Sequence, residues 1–457
     1  MTAAQVDAGM VLDRRRAGVL LHPGSLPSGK LGHDALRFLD YLQMGGFSVW
    51  QMLPLGPVGA GGSPYSLRSA FAGNPALIPT AVLNAEVSEE QLTEFRLCES
   101  AWLLDYSLFT AIGRRQRARP WWEWPAGLRL RHPDALAEFA RRHQGSIRAC
   151  ELQQYRFHMA WSAIREQARR RGILLYGDMP MFLPADSADV WARPENFRLD
   201  TQGRATHVAG VPPDGFAEHG QCWDTPVYDW ERLREGGFAW WRERLAHERR
   251  RFDLVRWDHF RGLAATWEIP VRGETSAAHG QWRAVPGREL LMCLRRELGS
   301  LPLVAENLGI ITPDVEALRK AFGLPGMHVL QFAFDGSQDN PHLPANHEEQ
   351  GVVYTGTHDN DTSLGWYRSL PEDMKQHVSQ TLGSEDPRMP EALIRAALDS
   401  ACALAVIPLQ DLMGLGSEAR MNTPGVAQGQ WAWKFSWRQL GPGSLQGWST
   451  ALKDAGR

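Results

Sequence analysis

Four carboxylates in this chain stand at the ends of short apolar runs. Asp178 falls in "ILLYGDM" (173–179), Asp258 in "DLVRWD" (253–258), Glu306 in "PLVAEN" (302–307) and Asp359 in "VVYTGTHD" (352–359), directly after His358. A charge at such a place is costly to bury unless it is used. Arg256 lies two residues before Asp258, so on a strand both project to one face. A guanidinium there favours the charged carboxylate, which is what a nucleophile needs. Glu306 follows an apolar "LVA", a setting that favours the protonated form and suits a general acid. Two carboxyls pushed in opposite directions are the equipment of glycoside chemistry. The alternative is a divalent metal held by Asp258, His259, His358 and Asp359. Metal barrels often carry an HxH pair at a strand end, and this sequence has none.

Positioning these groups requires their runs to be strands that converge. Four further runs share the pattern: "AGVLL" (17–21), "FSVWQML" (47–53), "MHVLQFAF" (327–334) and "LAVIPLQD" (404–411). Continuous runs rich in Val, Ile and Leu read as strands buried on both faces. Helical patterns lie between several of them. One spans 33–46 with a Gly45–Gly46 stop; another spans 312–323 with Thr312 as cap and Pro313 at the first helical position. Eight strands alternating with helices predict an α/β fold, a (β/α)₈ barrel with its polar strand ends at one mouth. The spacing is uneven. The stretch between the second and third runs is far longer than one helix needs. It reads as a helical insertion over 82–171. Residues 184–230, rich in Pro, Gly and Asp, read as a long loop over the mouth. The whole chain, 1–457, reads as one catalytic domain.

Composition narrows the partners. Lys+Arg 49 against Asp+Glu 52, a formal net charge of -3, favours neither nucleic acid nor an anionic membrane. No apolar stretch approaches the roughly 20 residues of a spanning helix, and the first residues lack the order of a secretory signal. The five cysteines are odd in number and scattered, without zinc-ligand spacing, which suits reduced thiols and a cytoplasmic location. The 19 Trp outnumber the 17 Phe and 8 Tyr. Most will serve cores, but a flat indole also covers the C–H face of a pyranose.

Eight motifs taken together resemble the amylomaltases, the 4-α-glucanotransferases of the α-amylase superfamily. They are "QMLPLGPVGAGGSPYS" with "SAFAGNP", "YGDMPMFLPADSADVWA", "VAGVPPDGFAEHGQCW", "VRWDHFRGL", "VAENLGIITPDV", "PGMHVLQFAF", "YTGTHDNDT" and "GSEARMNTPG", running from about residue 17 to 437. The resemblance implies a retaining transfer of α-1,4-glucan segments between sugars, with no metal and no cofactor. It implies Asp258 as nucleophile, Glu306 as general acid/base and Asp359 as the carboxylate that binds and distorts the donor sugar. It also implies substrate-binding positions at Tyr65, Asp178, Phe216, Trp223, Arg256, His259, Asn307, Phe332 and His358. The sequence departs from the family at three places. Gly215–Phe216 stands where an aromatic pair is usual, Ala60 replaces a Tyr before "SPY", and "QCWDTP" replaces "QRWGNP". These concern acceptor binding and product size. An α-glucan hydrolase and a non-catalytic glucan-binding protein remain as alternatives, and the oligomeric state is not legible.

Overall fold

Apolar runs that can bury both faces need covering on both sides, and the chain meets that need by closing them into a ring inside a layer of helices. The computed structural model describes residues 12–59, 61–213, 219–272, 275–383, 388–426, 428–441 and 443–457, without the side chains of 443–446. Twelve strands are numbered in chain order: β1 (Arg16–Leu20), β2 (Val49–Gln51), β3 (Leu174–Met179), β4 (His207–Val211), β5 (Gln221–Pro226), β6 (Leu254–Trp257), β7 (Ala265–Pro270), β8 (Gln281–Ala284), β9 (Leu303–Ala305), β10 (Met327–Val329), β11 (Val352–Tyr354) and β12 (Leu404–Pro408). Eight are parallel neighbours in the order β10-β11-β12-β1-β2-β3-β6-β9. The eight predicted strands are these eight, and the fold is a (β/α)₈ barrel.

The ends of the ring, β9 and β10, meet at a seam. Ala305 N–H donates to the Pro325 carbonyl at 2.8 Å. The Met327 N–H donates to the Asn307 side-chain carbonyl at 2.7 Å. A side chain thus replaces a ladder hydrogen bond where the strands are shortest. The observed strands also stop sooner than the apolar runs. β11 ends at Tyr354, and Thr357 to Asn360 form a turn in which the Asn360 side-chain carbonyl accepts from both Thr357 N–H and its hydroxyl, each at 2.9 Å. Past the mouth a strand has no neighbour to pair with, and side chains take over.

Alternation sorts the residues. Leu20, Val49, Tyr176, Leu254, Val304, Val329, Tyr354 and Val406 fill the barrel. Val19, Trp50, Leu175, Val255, Leu303, Val353 and Ile407 face out and join the helix layer. Gly18 points inward, where a Cβ would lie 2.8 Å from that of Val49; its bare backbone lets two strands approach closely.

Between β2 and β3 the chain is helical, chiefly Glu89–Cys98, Leu103–Arg115, Pro133–Arg142 and Gln144–Arg170. Ser88 and Gln91 cap the first in a reciprocal box. The last, 27 residues long, docks on the segment after β2. The Gln154 amide accepts from Gly73 N–H at 2.8 Å and donates to its carbonyl at 3.0 Å. Phe157 occupies the space that a Gly73 side chain would need. Among the described residues no helix is long and apolar enough to cross a membrane.

The expected loop over 184–230 is corrected in part. It contains β4 and β5, which join β7 and β8 in an antiparallel sheet of order β5-β4-β7-β8. The pairing of β4 with β7 crosses β6, so no local hairpin pattern announces it. β4 also carries Gly210, a residue poor in strand signal, where a Cβ would strike the Gln221 carbonyl at 2.1 Å.

Gln154→Met keeps the shape but leaves both Gly73 groups unpaired. Unfolding in urea should show a loss of about 2–4 kcal/mol, the cost of two orphaned backbone groups. A loss under about 0.5 kcal/mol would mean that this dock does not hold the inserted helices.

Candidate active site

The register of β3 with β6 sets Asp178 beside Arg256, and both point into the barrel. Arg256 Nη1 donates to Asp178 Oδ1 at 3.0 Å and Oδ2 at 2.8 Å. The same nitrogen lies 2.9 Å from Asp258 Oδ1. The Tyr65 hydroxyl donates to Asp178 Oδ2 at 2.7 Å and accepts from Arg256 at 3.4 Å. One buried guanidinium therefore ties a fully buried carboxylate to one that is 26% exposed at the mouth. Burial raises the pKa of the Asp178 carboxyl, and the pull of Arg256 opposes it. Burial also works to deprotonate Arg256, but Asp178 and Asp258 overcome it and hold its pKa well above the usual value. The donor set around Asp178, one guanidinium and one hydroxyl, fits an ionised carboxylate.

Glu306 comes from the adjacent wall, directly after β9, which pairs with β6. Its Oε2 accepts from the His259 N–H at 2.7 Å and its Oε1 from the Leu308 N–H at 2.9 Å. Burial pushes its pKa up to about 6; Arg256 opposes and the Asp258 charge adds. His259 reaches Glu306 through a left-handed backbone, φ 53°, a conformation that favours Gly and costs other residues energy. Its ring packs edge-on against Trp223 at 4.8 Å, with Phe182 at 6.1 Å. Burial, with Arg261 and Arg256, pushes the imidazole down to about 3, so it is neutral at pH 7.

Asp359 stands on a third wall. Its Oδ1 accepts from Asn422 Nδ2 at 2.6 Å, its main-chain carbonyl accepts from Arg420 at 2.7 Å, and His358 Nε2 lies 3.4 Å from Oδ2. The His358 ring stacks on Tyr65 at 5.2 Å, and Trp431 leans on both at 5.8 and 5.9 Å.

Tyr65, Asp178, Arg256, Asp258, His259, Glu306, His358 and Asp359 thus form one connected mouth, with Trp223 on its rim. Phe332 sits in the turn after β10, 38% exposed, its ring against His342. Asn307 follows Glu306, but both ends of its amide are engaged in the seam, with Met327 and with Glu316 at 2.9 Å. Phe216, Gly215 and Ala60 lie outside the described residues. The four candidate metal ligands are dispersed: Asp258 faces Arg256, and His259 faces Trp223. Among the described residues no three His, Cys, Asp or Glu side chains are placed to hold a metal ion. Sequence reading missed Arg420, Asn422 and Trp431. The first two lie in "GSEARMNTPG", noted as a motif without roles. Trp431 has φ 63°, which no sequence pattern reveals.

A (β/α)₈ barrel with three carboxylates at its mouth and aromatic rings around them defines an enzyme of the glycoside-cleaving and glycoside-transferring kind. Comparison with known proteins narrows the class. The family model described as 4-alpha-glucanotransferase, glycoside hydrolase family 77, matches residues 20–94 and 81–439. A 4-alpha-glucanotransferase of Synechocystis is 43% identical over 94% of this chain and 95% of the relative. One of Thermus thermophilus is 43% identical over 94% and 96%. The amylomaltase of Streptococcus agalactiae, solved in complex with acarbose, superposes with a TM-score of 0.93 at 30% identity, covering 97% of this chain and 100% of that one. The chain belongs to the 4-alpha-glucanotransferase family and is an enzyme of that kind.

Asp178 and Asp258 share Arg256 but differ in burial, so their removal should differ in cost. Asp178→Asn weakens the buried side of the clamp and should cost about 3 kcal/mol in thermal or urea unfolding. Asp258→Asn should change stability by about 1 kcal/mol or less, since its carboxylate is partly solvated and sits near Glu306. Equal costs, or the reverse order, would contradict this division.

Proposed function

We propose that the enzyme cleaves an α-1,4 bond of a maltooligosaccharide and transfers the glucan segment to another sugar, with retention and by double displacement. Asp258 attacks the anomeric carbon while Glu306 protonates the leaving oxygen, which departs as the new end of the released chain. The glucosyl ester on Asp258 then waits for an acceptor. Glu306, now ionised, takes the proton from the acceptor 4-OH as that oxygen displaces Asp258, and an α bond re-forms. The observation that carries this reading is the contrast between the two carboxyls: Asp258 held by a permanent cation, Glu306 pushed up to about 6 by burial. A group near 6 can serve as acid in one half-reaction and base in the other. The His259 and Leu308 N–H groups support its ionised form.

In this reading Asp359 binds hydroxyls of the donor sugar, fixed by Asn422 and flanked by His358. The Tyr65 ring offers a platform beside it, and Asp178 holds Arg256 in place. His259 and Trp223, with Phe216 and Phe332, serve the acceptor side; Asn307 acts by setting the seam behind Glu306. Transfer must outpace attack by water, so the acceptor has to be held in position and water kept out. The donor and acceptor are α-1,4-glucans, in keeping with the acarbose bound to the Streptococcus agalactiae relative. Five unpaired cysteines fit a cytoplasmic setting.

Purified enzyme given maltotriose should produce glucose together with a ladder of longer maltooligosaccharides. Glucose and maltose alone would mean hydrolysis and would overturn the transfer reading.

The pH dependence follows from Glu306. Its pKa is raised, so the proton needed for bond cleavage is present below about 6 and is lost as pH rises through that value. kcat/KM for maltotriose should fall roughly tenfold per unit on the alkaline side. A profile flat to pH 8 would contradict the assignment of Glu306 as acid.

A further inference from the structure

Trp223 reaches the mouth through an irregularity in β5. Val208 of β4 pairs with Pro226 and Gly210 with Cys222, so one residue, Ala209, faces three: Trp223, Asp224 and Thr225. A bulge of this kind bends its strand and re-aims a side chain, and bulges are frequent beside active sites. Here the Trp223 ring meets His259 edge-on at 4.8 Å with 88° between the planes, and leans on Phe182 at 6.0 Å. Its indole N–H donates to Gln221 Oε1 at 2.9 Å. His259 in turn gives its N–H to Glu306.

The centre of the bulge is Asp224, whose backbone is left-handed at φ 54°. Glycine takes that conformation freely. Among other residues Asp and Asn take it most readily, because a short polar side chain can bond locally. Asp224 does so: the Cys222 thiol donates to its Oδ1 at 3.5 Å. Asp224 is exposed, so no packing demand dictates its type. The Gly of "QRWGNP", which Asp224 replaces, suits the same backbone. We propose that Asp224 is a positioning residue of the acceptor side: its left-handed backbone holds the bulge in the shape that sets the Trp223 ring against His259. That Trp223 serves the acceptor rests on the function proposed above.

Burst kinetics with α-maltotriosyl fluoride as donor and glucose as acceptor test it, together with a crystal structure of each variant. Asp224→Val places a β-branched residue where φ is positive, which it resists. It should move the Trp223 ring off His259 and raise the KM for glucose about fivefold, the size of one lost ring contact. The fluoride burst, which reports the first half-reaction, should stay within about twofold. Asp224→Gly and Asp224→Asn keep the backbone and should return the glucose KM to near the wild-type value. In a Trp223→Ala background, Asp224→Val should have no further effect on that KM. An unmoved ring in Asp224→Val would overturn the proposal. So would Asp224→Gly raising the glucose KM as far as Asp224→Val, since the carboxylate and not the backbone would then be responsible. A displaced ring with an unchanged glucose KM would uphold the positioning role and contradict the acceptor role given to Trp223.

Discussion

A cation buried inside a barrel has to be answered by anions, and Arg256 sets that condition for the whole mouth. Its side chain is 6% exposed and touches Asp178, Asp258 and Tyr65. Asp178 satisfies it from within, fully buried; Asp258 satisfies it from the open side. The arrangement depends on the parallel register of β3 and β6, because a slip of one residue would turn each of these side chains out into the helix layer. The barrel core beneath, closed by Tyr176 and Tyr354, whose hydroxyls meet at 3.2 Å, is the floor on which this clamp rests.

The reactive asymmetry follows from that clamp. Asp258 has a cation against it, whereas Glu306 has backbone N–H groups and burial. The surroundings of the two carboxyls are therefore unlike, and the raised pKa of Glu306 suits a group that must hand over a proton. Backbone strain accompanies the arrangement. His259, Asp224 and Trp431 all have positive φ, and each lies in the site or beside it: against Glu306, next to Trp223, and on the Tyr65–His358 stack. Non-glycine residues in that region persist where the surrounding structure over-determines them.

Much of this was legible in the sequence because it rests on local pattern. The eight apolar runs are the eight barrel strands, and the two-residue spacing of Arg256 and Asp258 does place both inward. The position of Glu306 after "LVA" likewise brings it to the mouth. What was not legible depends on contacts distant in sequence. The antiparallel sheet pairs β4 with β7 across an intervening barrel strand, and Gly210 weakens the strand signal. Asn307 reads as a polar residue beside Glu306, yet its amide is drawn into the seam by Met327, twenty residues on. Asn422 reaches Asp359 across 63 positions, and Trp431 acquires its place from a backbone conformation that Trp rarely adopts.

The central claim is that Asp258, paired with Arg256, forms the covalent bond to the sugar. Glu306→Gln given an α-glucosyl fluoride tests it most directly, because the good leaving group removes the need for the acid while the missing base slows breakdown of the intermediate. Peptide mass spectrometry of the quenched enzyme should find one glucosyl unit, on Asp258. A label on Asp178, Asp359 or any other residue would contradict the account, as would turnover of the fluoride with no label at all.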